Sequence, residues 1–143
     1  MKWKLARVGT TNINRTSAAP RHELEHYCRD LNGWPRSWMG LEKDLPPGEQ
    51  LLVLFRPFLE YLAASDLSPK TIQKHVDNIW ALGGEFIRDL NYDQSLRKLP
   101  VEQHLIEMIE DGGPLLHHSG EDQQRSFDST CRKFRRFLST TPP

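Results

Sequence analysis

The sequence has little cysteine and no long apolar run, and both absences exclude classes of protein. Its two cysteines, Cys28 and Cys131, are far apart and form no metal-binding or redox spacing, so we expect free thiols in a reducing cytoplasm. No stretch approaches the roughly 20 apolar residues of a membrane helix. The N-terminus is basic but lacks the apolar segment of a secretory signal. We therefore expect a soluble cytoplasmic protein with no membrane partner.

Enzyme signatures are missing as well. The sequence contains no glycine-rich phosphate loop, no Gly-x-Ser-x-Gly elbow and no His-Glu-x-x-His motif. His22 and His26 have a spacing that can bind zinc, with Cys28 close by. A third and a fourth ligand are not evident, and Glu23 and Glu25 make this segment resemble a surface helix. We predict no catalytic residue, no metal, no cofactor and no small-molecule substrate.

Charge is balanced in total but segregated along the chain. The 143 residues carry 19 basic and 19 acidic side chains, which argues against a nucleic-acid partner at first sight. Residues 1–21 nevertheless hold five bases and no acid, residues 99–124 hold six acids and no base, and residues 125–143 hold five bases and one acid. Such blocks can create one basic face on a neutral protein. Ordinary solvated helix faces are the alternative interpretation.

The hydrophobic pattern predicts one helical domain. Residues 1–20 lack periodicity and are predicted to be a flexible basic arm, while residues 21–143 are predicted to be a single domain. Apolar residues recur at helical spacing, and no segment alternates as a strand does. The predicted helices are 20–31, 48–64, 68–90, 100–111 and 120–138, with a loop at 34–48. The fold class is therefore all-α, a bundle of four to five helices.

The segment 68–90 gives the clearest helix prediction. Ser68 is a good N-cap, and Pro69 fits the first helical position, where its missing N–H costs nothing. Gly83 and Gly84 lie in the middle, which predicts either close packing of another element or a bend. One face of the helix is predicted to be apolar: Ile72, Val76, Ile79, Gly83, Phe86 and Leu90.

The last predicted helix has a basic face opposite its phenylalanines. The face comprises four residues at steps of three and four: Arg125, Ser129, Arg132 and Arg136. Lys133 lies beside them. Such a row can contact successive phosphates of a duplex. Its alternative is a solvated face, or pairing with the acidic segment 99–124.

Two segments resemble a known family. The wording FLEYLAASDLSPKTIQKHVDNI at 58–79 is similar to the core-binding domain of tyrosine recombinases (phage integrases), and SFDSTCRKFRRFL at 126–138 is similar to the last helix of that domain. The resemblance spans about residues 50–138. It implies a SAM-like orthogonal helical bundle that clamps double-stranded DNA during recombination or integration of a mobile element.

The resemblance also implies which residues contact DNA. In the helix predicted at 68–90 these are Lys70, Thr71, Lys74 and Asn78. In the last helix they are Ser129, Thr130, Arg132 and Lys133, to which spacing alone adds Arg125 and Arg136.

The sequence lacks the catalytic residues of this family. Tyrosine recombinases catalyse with a separate domain that contains arginines, a His-x-x-Arg pair and a nucleophilic tyrosine, and nothing in this sequence supplies that set. We therefore expect a non-catalytic DNA-binding module, with a recombinase or other protein as a second kind of partner. Two alternatives stay open: a helical adaptor that binds proteins and has lost DNA, and a fragment of a longer recombinase. The acidic segment 99–124 and a Trp34/Trp38 loop favour the adaptor.

Overall fold

A computed structural model describes residues 20–116 and 119–140, with side chains from residue 24 onward. Within these ranges the chain is all helical, without a strand, which confirms the predicted fold class. The six α-helices are α1 Pro20–Tyr27, α2 Trp34–Trp38, α3 Leu45–Ala63, α4 Pro69–Tyr92, α5 Val101–Met108 and α6 Glu121–Thr140. Short 3₁₀ helices at Leu31–Gly33, Glu42–Asp44 and Gln94–Lys98 connect them. The arm predicted at 1–20 lies outside the described residues, except for Pro20, where α1 begins.

Helices α3 and α4 form the centre of the bundle. Helix α3 packs against α1, α2, α4 and α5, and α4 packs in addition against α6. Aromatic rings join α3 to α6, with Phe58 and Phe134 at 5.0 Å and Phe55 and Phe134 at 5.6 Å between ring centroids. All six residues predicted for the apolar face of α4 are buried. The helical periodicity of the sequence therefore placed the core correctly.

The prediction of a loop at 34–48 was wrong, because prolines there begin helices instead of ending them. Pro35 lies in the first turn of α2, and Pro46 lies in the first turn of α3. First-turn N–H groups have no intrahelical acceptor, so proline costs nothing at these positions. Helix α3 consequently begins at Leu45, before the predicted start.

Helix α3 continues through Pro57 to Ala63. Proline removes the hydrogen bond to the carbonyl of Val53, and both residues are exposed, so water can reach that carbonyl. Helix α5 is shorter than predicted and ends at Met108. Gly112 follows with a φ of 117°, a left-handed conformation that favours glycine.

The packing of Trp38 accounts for glycine at position 83 in the middle of α4. The indole of Trp38 lies directly on Gly83, where an added Cβ would be 2.1 Å from Trp38 Cζ2. The same indole donates a hydrogen bond from Nε1 to the carbonyl of Trp80 at 2.9 Å. The first of the two predicted explanations is correct, although the element that packs closely is one side chain of α2. No helix in the described ranges is long and apolar enough to span a membrane.

Candidate nucleic-acid interface

The N-terminal turn of α4 presents two predicted lysines to solvent. Ser68 caps the helix, because its Oγ accepts a hydrogen bond from the Thr71 backbone N–H at 3.2 Å. The Ser68 hydroxyl also donates to Thr71 Oγ1 at 2.9 Å, so the Thr71 side chain belongs to the cap and is partly exposed. Lys70 and Lys74 are exposed and have no carboxylate partner among the described residues. The capped turn therefore fixes the backbone from which both lysines project.

Helix α6 presents its predicted basic face as expected. Arg125, Ser129, Arg132 and Arg136 are exposed, and Lys133 is partly buried. Arg125 forms an exposed ion pair with Asp122 within its own helix. In the described part of the chain, Arg132, Lys133 and Arg136 pair with no carboxylate, and this includes the acidic residues of segment 99–124.

A chain of hydrogen bonds holds α4 against α6. His75 Nδ1 and Thr130 Oγ1 are 2.7 Å apart, and Asn78 Nδ2 donates to Thr130 Oγ1 at 2.9 Å. Asn78 Nδ2 also lies 3.1 Å from Ser126 Oγ, and Gln123 Nε2 donates to Asn78 Oδ1 at 3.3 Å. Position 75 thus meets 130, and position 78 meets 126 and 123, so the two helices run antiparallel along this seam.

Asn78 and Thr130 do not fit their predicted role as DNA contacts. Their side chains are 3% and 0% exposed, and both are used in the seam. Because a duplex reaches only the surface, these residues can position the basic helices but cannot contact phosphate in this arrangement. The family wording did not distinguish the inward residues of α4 and α6 from the outward ones.

His75 lies in the seam, where its ring interacts with Thr130 of α6. Burial lowers its pKa most, and the positive charges of Lys133 and Lys74 lower it further. Lys74 directly precedes His75 on α4, and Lys133 lies one turn after Thr130, the hydrogen-bond partner of His75, on α6. His75 is not among the predicted DNA contacts. The feature of the sequence that could have indicated a role is its position directly after Lys74, at the border of the apolar face of α4.

The antiparallel seam brings the N-terminal turn of α4 near the C-terminal half of α6. We define the basic patch as four cations of these two segments: Lys70, Lys74, Lys133 and Arg136. Arg132 lies at the far edge, where a Cβ added to Gly112 would be 3.3 Å from its Nη1. Within the predicted basic face, Arg132 thus lies against the turn after α5.

The described residues offer no alternative metal site. No group of three potential ligands from His, Cys, Asp and Glu is found within them, and the side chain of His22 lies outside them. Burial raises the pKa of the Cys28 thiol to about 11, and its Sγ lies 3.5 Å from the Leu24 carbonyl oxygen, to which it donates. A buried neutral thiol is a poor metal ligand.

One feature that favoured an adaptor is not present. Trp34 and Trp38 are only 3% and 8% exposed, so the two indoles are part of the core and leave no aromatic loop for a partner. Comparisons of sequence and structure find no matching family, no matching curated protein and no matching solved structure.

Proposed function

We propose that this chain is a non-catalytic DNA-binding module, of the core-binding type that its sequence resembles. The observation that carries the proposal is the basic patch, whose cations project from two packed helices and form no ion pair with a carboxylate of the described residues. Unpaired lysine and arginine side chains at a helix seam are suited to successive backbone phosphates. The role in recombination or integration follows from the resemblance alone.

The seam supports the proposal because it fixes the relative position of the two helices that carry the patch. Lys74 and Lys133 project from helices joined through His75, Asn78 and Thr130. Cations fixed at a constant spacing lose less conformational entropy on binding than cations on mobile loops. The acidic segment 99–124, which could have neutralised the patch, forms no ion pair with it in the described part of the chain.

A salt titration of duplex binding tests the proposal. The affinity for a fluorescent 20-base-pair duplex, measured by anisotropy, should fall as salt rises. For four phosphate contacts we expect a slope of log K against log salt of about −3.6. Failure to bind at low salt would overturn the proposal.

Matched variants locate the contact surface. Lys74→Gln with Arg136→Gln removes two cations from the patch and should reduce the magnitude of the slope by about two. Arg36→Gln with Lys98→Gln removes two exposed cations elsewhere, on α2 and on the 3₁₀ helix after α4. The second pair should change the slope little. Equal effects of the two pairs would show that the patch is not the binding surface.

A further inference from the structure

The ring of His75 has one nitrogen committed to the seam and one that is open. Nδ1 interacts with Thr130 Oγ1 at 2.7 Å. Nε2 has no hydrogen-bond partner in the described residues and is not one of their buried unpaired atoms, so solvent reaches it. The charged groups that act on the ring are Lys74 on α4 and Lys133 on α6. In the described residues, no carboxylate acts on it from α6 or from the other helices packed on α4.

We propose that Lys74, His75 and Lys133 form one phosphate-binding subsite, and that a DNA phosphate bound there causes His75 to take up a proton. This inference rests on the proposed function and specifies its ligand and its regulation. In the free protein two cations repel a third, whereas a phosphate anion between them attracts it. The proton comes from solvent and adds to the imidazole, which then carries an N–H on both nitrogens.

The seam can accept the cationic ring without losing a hydrogen bond. Thr130 Oγ1 lies 2.7 Å from Nδ1 and 3.3 Å from the Ser126 carbonyl oxygen. When Nδ1 becomes a donor, the threonine hydroxyl accepts from it and turns its own hydrogen to that carbonyl. The open Nε2 then donates to the phosphate, so both states of the ring are satisfied.

The sign of the pH dependence follows from the two states. The pKa of His75 is lowered in the free protein, chiefly by burial and then by Lys133 and Lys74, and the bound phosphate raises it. Between these two values binding consumes a proton, so affinity increases as pH falls. A rise of one pKa unit on binding corresponds to about tenfold tighter binding at the low end of this range.

The experiment measures duplex affinity from pH 7.5 to 5.5 at constant ionic strength, together with the NMR titration of the His75 ring. We expect tighter binding at low pH, and loss of that trend in His75→Asn. Asparagine keeps an acceptor where Nδ1 was and does not titrate. His26→Asn, at an exposed position on α1, is the matched control and should keep the trend.

The outcomes separate this inference from the proposed function. If the duplex binds but His75→Asn keeps the full pH trend, the inference is wrong and the proposed function stands. Sulfate, a phosphate analogue that does not titrate here, should raise the pKa of the His75 ring relative to chloride at equal ionic strength. If sulfate does so without any duplex binding, the subsite stands and the proposed function fails. If neither anion raises that pKa, the inference is overturned.

Discussion

Adjacent glycines in α4 should respond to alanine with opposite signs. At Gly83 an added Cβ would lie 2.1, 2.4 and 2.6 Å from three carbons of the Trp38 indole. At Gly84 the nearest atom would be 3.7 Å away, which is ordinary contact. Both residues are inside the same helix, so alanine improves helix propensity equally at both positions, by about 1 kcal/mol. The difference between the two variants therefore isolates the packing of Trp38.

The expected magnitude at Gly83 depends on how far the indole must move. Carbon atoms in contact are about 3.5 Å or more apart, so the ring must shift by roughly 1.4 Å. The hydrogen bond to the Trp80 carbonyl and the edge contact with Phe55, at 6.1 Å between centroids, oppose this shift. Overpacking costs about 1–3 kcal/mol, and full loss of a core tryptophan costs about 3–5 kcal/mol. After the helix gain of about 1 kcal/mol is subtracted, the two costs become about 0–2 and about 2–4 kcal/mol, so we expect Gly83→Ala to destabilise the protein by about 2 kcal/mol.

Urea unfolding followed by circular dichroism measures both variants. Gly84→Ala should raise the free energy of unfolding by up to about 1 kcal/mol, since only the propensity term applies. Gly83→Ala should lower the midpoint without changing the slope with urea, because the bundle still folds. If Gly83→Ala is as stable as the wild type, or if Gly84→Ala destabilises equally, the packing argument is refuted.

Two further predictions concern buried ionisable groups. Burial raises the pKa of Asp44, but hydrogen bonds from Asn91, Arg97 and the Leu41 and Gly40 N–H groups outweigh it and lower the pKa to about 2. Its folded-state pKa is thus below the unfolded value, so its contribution to stability is present above about pH 4 and lost toward pH 2. Asp44→Asn should lower the free energy of unfolding, measured with urea, by about 3 kcal/mol at pH 7 and by less at pH 2.5. A difference between wild type and variant that does not change with pH would contradict this. Burial also raises the pKa of Cys131 to about 12 and that of Cys28 to about 11, so neither thiol should react with DTNB within minutes in the folded protein at pH 8. Both should react in urea, and rapid labelling of the native protein would contradict their burial.

Periodicity predicted the helices that bury an apolar face, because burial repeats at the helical period. The faces of α4 and α6 are examples, with Ile79 and Phe127 fully buried. Prolines made the helix boundaries hard to predict. Pro35 and Pro46 lie in the first turns of helices, whereas composition alone identifies proline as a residue that ends a helix. The contact of Trp38 with Gly83 joins residues distant in sequence, and no local pattern contains that information.

The sequence predicted the two helices of the candidate site, but it did not predict which of their polar side chains are exposed. Exposed Lys74 and Arg136 follow from a helical wheel, since they lie away from the phenylalanines and isoleucines. Asn78 and Thr130 lie at the border of the apolar faces, where a polar residue is exposed unless a second helix covers it. Here each of the two covers the other. Their burial therefore depends on how α4 and α6 pair, which neither segment specifies alone.

The cations of α6 differ in the charged groups that surround them. The charges of Lys133 on α6 and Lys74 on α4 both act on the His75 ring. Arg132 lies by Gly112, next to the exposed Asp111, and Asp128 hydrogen-bonds the neighbouring Gly113 N–H at 2.9 Å. Carboxylates near Arg132 weaken its local potential, whereas no carboxylate of the described residues acts on the His75 ring. Among the described residues, the seam is thus a part of the α6 surface where two positive charges act together without an opposing carboxylate, and this is the place that the proposed phosphate subsite uses.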